Sequence, residues 1–418
     1  MRRRALIAGG TGLVIGGAVW SLKPSARGNG GHNTYFTQLN GLMKKEGDGR
    51  PTMLIDLDAL DHNIQVTLAE LGSRSLRIVA KSLPSIPLLN YVSQASGSHR
   101  LMAFHEPFIG QMGAPETDVL LGKPMPVTAA AKYYARPQRH LFDASKQLQW
   151  LIDTPERLAQ YAALAETNNL PLNLNIEIDV GLHRGGVSDP NVLRSMLATI
   201  QAHTNLRFTG LMGYDPHVAK MPDAFDGRAD EFNNVQTIYA DMLAVTKEID
   251  HTGLTLNAAG SPTYQLWNEV NGLANELSVG SGLVKPLDFD IPTLANHKPA
   301  LFIATPVLKT SPGVRIPGFD ALGKIQGAWD PNRDRTFFVY GGYWKAAPVS
   351  PEGLVLNELF GRSTNQEMLN GSSDVVLGVD DYVFYRPTQS EFTMLQFGEI
   401  LGVRGGRIES RWAPFSWA

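Results

Sequence analysis

From residue 51 onward, short β-branched or apolar runs alternate with stretches whose apolar positions recur every three to four residues. That alternation predicts repeated β/α units. An opening strand, TMLIDLD, leads into the helical pattern LDALDHNIQVTLAEL. Eight further runs read as strands: 76–83, 101–105, 118–125, 148–153, 172–180, 208–215, 255–260 and 275–282. The amphipathic stretches between them carry helix-start chemistry. Thr154, Pro155 and Glu156 supply a cap, a first-turn proline and an early acid, and Pro190 follows Ser188 or Asp189 as the cap of the next helix. Eight such units within residues 51–295 fit a (β/α)8 TIM barrel better than an open doubly wound sheet.

After residue 296 the helical pattern gives way. ALFIATPVLKTS, TFFVYGG, SDVVLGVDDYVFYRP and FTMLQFGEILGVRGGRI are strand-like and punctuated by glycine pairs. Residues 296–418 are therefore expected to form an antiparallel β domain, with Trp412, Phe415 and Trp417 packing it closed. Before the barrel, Arg2, Arg3 and Arg4 precede an uncharged stretch from Ala5 to Leu22 that holds five glycines. Residues 1–22 read as a signal or anchor segment of twin-arginine-like character, which places the protein in the periplasm or on a membrane, in contact with membrane or export machinery. Residues 23–50 read as a linker with room for one short helix.

Composition narrows the chemistry. Hydrophobic residues are 43% and charged residues 18% of the 418, enough for a sizeable core. A net charge of −3 provides no field for wrapping nucleic acid. The absence of cysteine removes disulfides, thiolate metal clusters and a thiol nucleophile.

Barrel chemistry gathers at the carboxyl ends of the strands, so the polar residues there are the candidates. The first barrel strand ends at Lys81. The fifth runs into Asp179-Val180-Gly181, then His183 and Arg184. The sixth ends in Tyr214-Asp215, with His217 beyond. The last two end in Gly260-Ser261 and Gly280-Ser281-Gly282. Paired Gly-Ser turns there offer bare amides and hydroxyls, the parts of a phosphate cradle. A lysine in the apolar run RIVAKSL either reaches to water or is used covalently. A lysine imine opposite a phosphate cradle is what pyridoxal 5′-phosphate requires.

These residues resemble the fold-type III pyridoxal-phosphate enzymes, with an alanine-racemase-like barrel followed by a β domain. The similarity leans toward the D-threonine aldolase and D-serine dehydratase branch. It is carried by PTMLIDLDALDHNI, RIVAKSLP, LNIEIDVGLHRGGV, FTGLMGYD, NAAGSPTYQLW and ELSVGSG. The resemblance implies that Lys81 holds the cofactor as an imine, that Arg184 approaches its phenolic oxygen and that Tyr214 lies near its ring. It implies that Gly260, Ser261, Gly280 and Ser281 bind its phosphate. It also implies a small amino-acid substrate and a homodimer.

The chain departs from that pattern in three places. Racemases of the family carry arginine at the ring nitrogen, where this sequence has Ser278. The aldolase and dehydratase branch carries a histidine-containing metal pair near the carboxyl terminus, but the corresponding stretch, DDYVFYRPTQSEFTML, has no histidine. A divalent metal is left open, with Asp380, Asp381 or Glu391 as donors. The third departure is VYGGYWKAAP, where Tyr340, Tyr343 and Trp344 are expected to reshape the pocket. His183 and His217 are weighed as acid or base on the opposite face, and Arg386 as a grip for a substrate carboxylate. Asp56 and Asp58 are expected to be structural. The expected activity is a lyase acting through Lys81 on D-amino or β-hydroxy amino acids, by retro-aldol cleavage or dehydration, with Lys81, Tyr214 and His217 catalytic. The alternatives are an amino-acid racemase and a non-catalytic cofactor-binding protein.

Overall fold

The computed structural model describes residues 23–136, 142–222, 226–248, 253–315 and 329–416. The expected leader 1–22 and Trp417 lie outside the described residues. Two compact units divide the chain. One comprises Ile55–Leu301, Thr388–Arg404 and the residues from Glu409 onward. The other comprises the residues through Leu54, Phe302–Pro387 and Gly405–Ile408.

The first unit is a closed barrel of eight parallel strands. They are β2 (Ser75–Val79), β3 (Arg100–Ala103), β4 (Asp118–Leu121), β5 (Leu148–Ile152), β6 (Leu172–Ile178), β7 (Leu206–Gly213), β8 (Thr255–Ala258) and β9 (Glu276–Val279), counted after β1 (Thr52–Asp56). β9 closes onto β2 in a register that runs from Ser75 opposite Glu276 to Ile78 opposite Val279. All eight runs read as barrel strands form, but most are shorter than the pattern predicts. β2 stops at Val79, and Lys81 sits in the 3-10 turn Ala80–Ser82 that follows. Tyr214, Gly260 and Gly280 likewise fall just past β7, β8 and β9.

The helices start where their caps are. Asp56 accepts from the Ala59 amide at 2.9 Å and opens Leu57–Leu71, so it is structural. Thr154 accepts from the Arg157 amide at 3.1 Å and opens Pro155–Asn168. Asp189 rather than Ser188 caps Pro190–Ala202.

Side chains alternate across a strand, so every second residue of β6 faces inward. Asn173, Asn175 and Glu177 are those residues, and all are buried. The barrel floor, at the amino ends of the strands, is an ion-pair network. Fully buried Arg77 donates to Glu276 at 2.5 and 2.8 Å and to Asp118 at 3.0 Å, and Arg100 adds a bond to Glu276 at 3.0 Å. Burial opposes the charge on Arg77, but Glu276 and Asp118 more than offset it and raise its pKa. Each buried charge here has partners, which is the condition under which such a group is tolerated.

The second unit is built on antiparallel strands β10 (Leu301–Pro312), β11 (Arg335–Tyr340), β12 (Ala346–Ser350), β13 (Val355–Leu356), β14 (Gln366–Gly371) and β15 (Tyr382–Pro387). The order β13-β14-β11-β10 is consecutive, and β15 pairs with both β10 and β12. The expected linker contributes a helix, Thr34–Glu46, capped by Asn33. Its Phe36 packs edge-on to Phe302 and against Phe384.

Three expectations about the carboxyl-terminal region are corrected. The run from Ser373 is a strand only over Tyr382–Pro387. Glu391–Met394 forms one turn of helix, not a strand. Trp412 and Phe415 pack within the barrel unit: Phe415 stacks on Phe108 with ring centroids 4.5 Å apart, and Trp412 meets Tyr91 at 5.6 Å. β14 escaped the sequence reading because its buried positions include Glu367 and Asn370. These are satisfied by Arg362, and by Asn357 and Thr336, respectively. Among the described residues no helix is long and apolar enough to cross a membrane.

Candidate active site

A cavity of about 640 Å³ opens at the carboxyl ends of the barrel strands, within the first unit. Lys81, Arg184, Tyr214, Gly260, Ser261, Gly280 and Ser281 all line it. Seven of the eight residues predicted from the sequence therefore converge from the turns after β2, β6, β7, β8 and β9. His217 does not line the cavity. Its Nε2 lies 2.9 Å from Glu231 Oε1, so the ring is engaged away from the opening. His183 also stays outside, 83% exposed, with Nδ1 2.9 Å from Asp179. Burial works against charge on Asp179, yet the His183 ring and the amides of His183 and Gly181 hold its carboxyl below the ordinary range.

The lysine is reachable. Its Nζ is 2.6 Å from Glu391 Oε1 and 4.8 Å from the centroid of the Phe104 ring. Around it, the turns are knitted by small hydroxyls. Ser82 Oγ lies 3.0 Å from Ser281 Oγ, which lies 3.3 Å from Ser390 Oγ, and all three residues are buried. Ser261 Oγ accepts from the amides of Gly280 at 3.0 Å and Gly282 at 2.9 Å. A Cβ at Gly280 would stand 2.7 Å from Val79 Cβ and 2.8 Å from Ser82 Oγ. One at Gly260 would meet Tyr214 Cε2 at 2.5 Å. Only glycine lets these turns close so tightly around the opening.

Tyr214 and Arg184 form a second wall. The guanidinium carbon sits 4.8 Å above the tyrosine ring, a cation–π pair. Burial raises the Tyr214 phenol above its ordinary value and Arg184 opposes the shift, so the hydroxyl is a proton donor at neutral pH. The next residue, Asp215, is fully buried. Its carboxylate accepts from Thr263 Oγ1 at 2.6 Å and Trp267 Nε1 at 2.8 Å, which pins the turn carrying Gly260 and Ser261. Burial raises its pKa against those two donors.

Ser278, where an arginine would mark a racemase, also lines the cavity. Its Oγ lies 2.8 Å from Asn257 Nδ2 and 3.0 Å from Asn257 Oδ1. Arg386, Tyr340, Tyr343 and Trp344 belong to the second unit, and none is among the cavity's lining residues. Asp381 is engaged by Lys44 at 2.8 Å and Asn40 at 3.2 Å. Among the described residues, no three His, Cys, Asp or Glu side chains gather as a metal site. Sequence reasoning missed Ser82, Phe104, Asn257 and Gln389 as lining residues, and it weighed Glu391 only as a metal donor. The signal for Gln389 and Glu391 was the polar break TQSE after β15, inside an otherwise apolar tail.

Residues 55–287, more than half of the chain, match the family model described as alanine racemase, N-terminal domain. The chain belongs to that family. It is a fold-type III pyridoxal-phosphate family. A curated relative, the 3-hydroxy-D-aspartate aldolase of Paracoccus denitrificans (strain Pd 1222), is 26% identical over 273 residues. That alignment spans 62% of this chain and 64% of the relative's length. The D-threonine aldolase structure from Filomicrobium marinum superposes with a TM-score of 0.67 at 20% identity, covering 87% of this chain and 96% of that one. Alanine racemase from Bacillus anthracis gives 0.64 at 13% identity, covering 87% and 97%. At those identities the two structures establish the fold alone.

The cavity's lining fits the family's cofactor. An accessible amine stands at one side, close-set glycine turns with three serine hydroxyls at another, and an aromatic ring under a guanidinium at a third. The volume lies within the range of small-molecule sites.

Proposed function

We propose that the protein is a pyridoxal-phosphate-dependent lyase that cleaves D-configured β-hydroxy amino acids by retro-aldol chemistry. Lys81 would hold the cofactor, Gly260, Ser261, Gly280 and Ser281 its phosphate, and Arg184 and Tyr214 its ring face. When bound, pyridoxal 5′-phosphate supplies an electron-poor ring that stabilises negative charge at the substrate's Cα. Lys81 would also be the acid that delivers a proton to Cα. Arg184 keeps its positive charge throughout and holds Tyr214 in place through the ring contact. The floor network and the polar layer of Asn173, Asn175 and Glu177 lie in the barrel below the cavity.

The observation that carries this reading is the meeting of Lys81 with the Gly-Ser turns of β8 and β9 in one cavity. The lyase is favoured over the racemase because Ser278 stands where a racemase has arginine and because His217, a candidate second acid, is bound to Glu231 outside the cavity. The aldolase relative supports the same choice. Export through residues 1–22 and a homodimer remain part of the proposal on sequence and resemblance alone.

The test is a panel of D- and L-threonine, serine, 3-hydroxyaspartate and alanine with the cofactor-loaded protein, followed by assays for aldehyde, glycine, ammonia and chirality. Aldehyde together with glycine, from the D-β-hydroxy substrates only, is the expected result. Ammonia release would make it a dehydratase. Formation of the mirror-image amino acid alone would make it a racemase, and no product from any of them a binding protein.

A further inference from the structure

Retro-aldol cleavage needs a base for the substrate's β-hydroxyl and an acid that afterwards protonates Cα. The ionisable groups lining the cavity are Lys81, Arg184, Tyr214, Lys220, Asp288 and Glu391. Arg184 is never a base at neutral pH, and Tyr214 is held protonated by burial. Lys220 is an exposed cation at the rim. Asp288 is also exposed, and its Oδ2 accepts from Gln389 Nε2 at 2.7 Å. Glu391 is different. It is one-third exposed, it faces Lys81 at 2.6 Å, and the short helix that carries it is tied to the cradle through Ser390 and Ser281. Glu391 thus sets a carboxyl oxygen inside the cavity, beside the amine that would act at Cα.

We propose that Glu391 is a catalytic residue that takes the proton of the substrate's β-hydroxyl. The proposal rests on the lyase reading above and deepens it. The hydroxyl proton passes to Glu391, the O–H electron pair becomes the second C–O bond of the released aldehyde, and the Cα–Cβ pair stays with Cα. Lys81 then protonates Cα. The contact between the two side chains returns the proton from Glu391 to Lys81. The substrate is divided into an amino acid and an aldehyde with no other reactant.

The experiment compares wild type with Glu391→Gln and Glu391→Asp, all loaded with cofactor to equal occupancy by absorbance. Two rates are read: cleavage of D-threonine, and exchange of a glycine α-proton with deuterated water, which involves Cα but no hydroxyl. Cleavage by Glu391→Gln should fall by about 100-fold or more while exchange falls by less than about 10-fold, and Glu391→Asp should recover part of the cleavage. Wild-type cleavage should also survive EDTA. The assignment is overturned if Glu391→Gln cleaves at the wild-type rate, if cleavage and exchange fall in parallel, or if EDTA abolishes wild-type cleavage and Mn²⁺ restores it. Wild type that exchanges glycine but cleaves no β-hydroxy amino acid would instead defeat the lyase reading itself.

Discussion

Replacing Lys81 with alanine is expected to lower turnover of a D-β-hydroxy amino acid by about 10³-fold or more, because one side chain both anchors the cofactor and moves the proton at Cα. The same variant should lose the long-wavelength absorbance that an amine-bound pyridoxal phosphate shows, and should release the cofactor on gel filtration. Folding should survive. The ion pair with Glu391 is about one-third exposed on both sides, so its loss costs at most about 1 kcal/mol. A melting temperature within a few degrees of wild type, measured beside the absorbance, separates lost chemistry from lost structure. Lys81→Ala retaining both colour and turnover would remove Lys81 from the centre of the mechanism.

The second large effect is a pH dependence of stability located at Glu177. This residue lies on β6, faces the barrel interior and is buried with 7% exposure. Burial pushes its carboxyl up from about 4.5 to about 7; Arg184 opposes the rise, and Asp153 and Asp179 add to it. Below about pH 4.5 the group is protonated in both folded and unfolded chains and costs nothing. Between there and about pH 7 the folded chain holds a proton that the unfolded chain has lost, so stability falls as pH rises. Above about pH 7 the full cost is reached, about 3 kcal/mol from that separation of pKa values. Glu177→Gln removes the charge and keeps the shape. Its gain in unfolding free energy over wild type should therefore be larger at pH 8 than at pH 5 by about 2–3 kcal/mol in urea titrations. An equal difference at both pH values would show that Glu177 ionises in the fold as it does in water.

Much of the barrel was legible because its strands are buried on both faces and read as apolar runs, each closed by glycine or a polar residue. LNLNIEI is the instructive exception in texture. Its inward side chains are Asn173, Asn175 and Glu177, and it was still recognised because the outward leucines and isoleucines keep a period of two. Site residues on the strand ends followed from the same count, since a barrel places its chemistry there. Residues that reach the cavity from far along the chain did not. Glu391 lies 310 positions from Lys81, and only tertiary folding brings Thr388–Arg404 into the barrel unit. His217 is separated from the other candidates for the opposite reason. It is close in sequence to Tyr214, but the turn through Asp215 and Pro216 carries it to Glu231. The β14 strand was hidden because two of its buried positions, Glu367 and Asn370, are polar and satisfied by neighbours that no local pattern reveals.

Everything above turns on which amine carries the cofactor, and the cavity offers two, Lys81 and Lys220. Borohydride reduction of the cofactor-loaded protein, followed by proteolysis and peptide mass spectrometry, reads the answer directly. The account predicts a single pyridoxyl-modified peptide with the modification on Lys81. Modification at Lys220, or at neither lysine despite full cofactor loading, would contradict it.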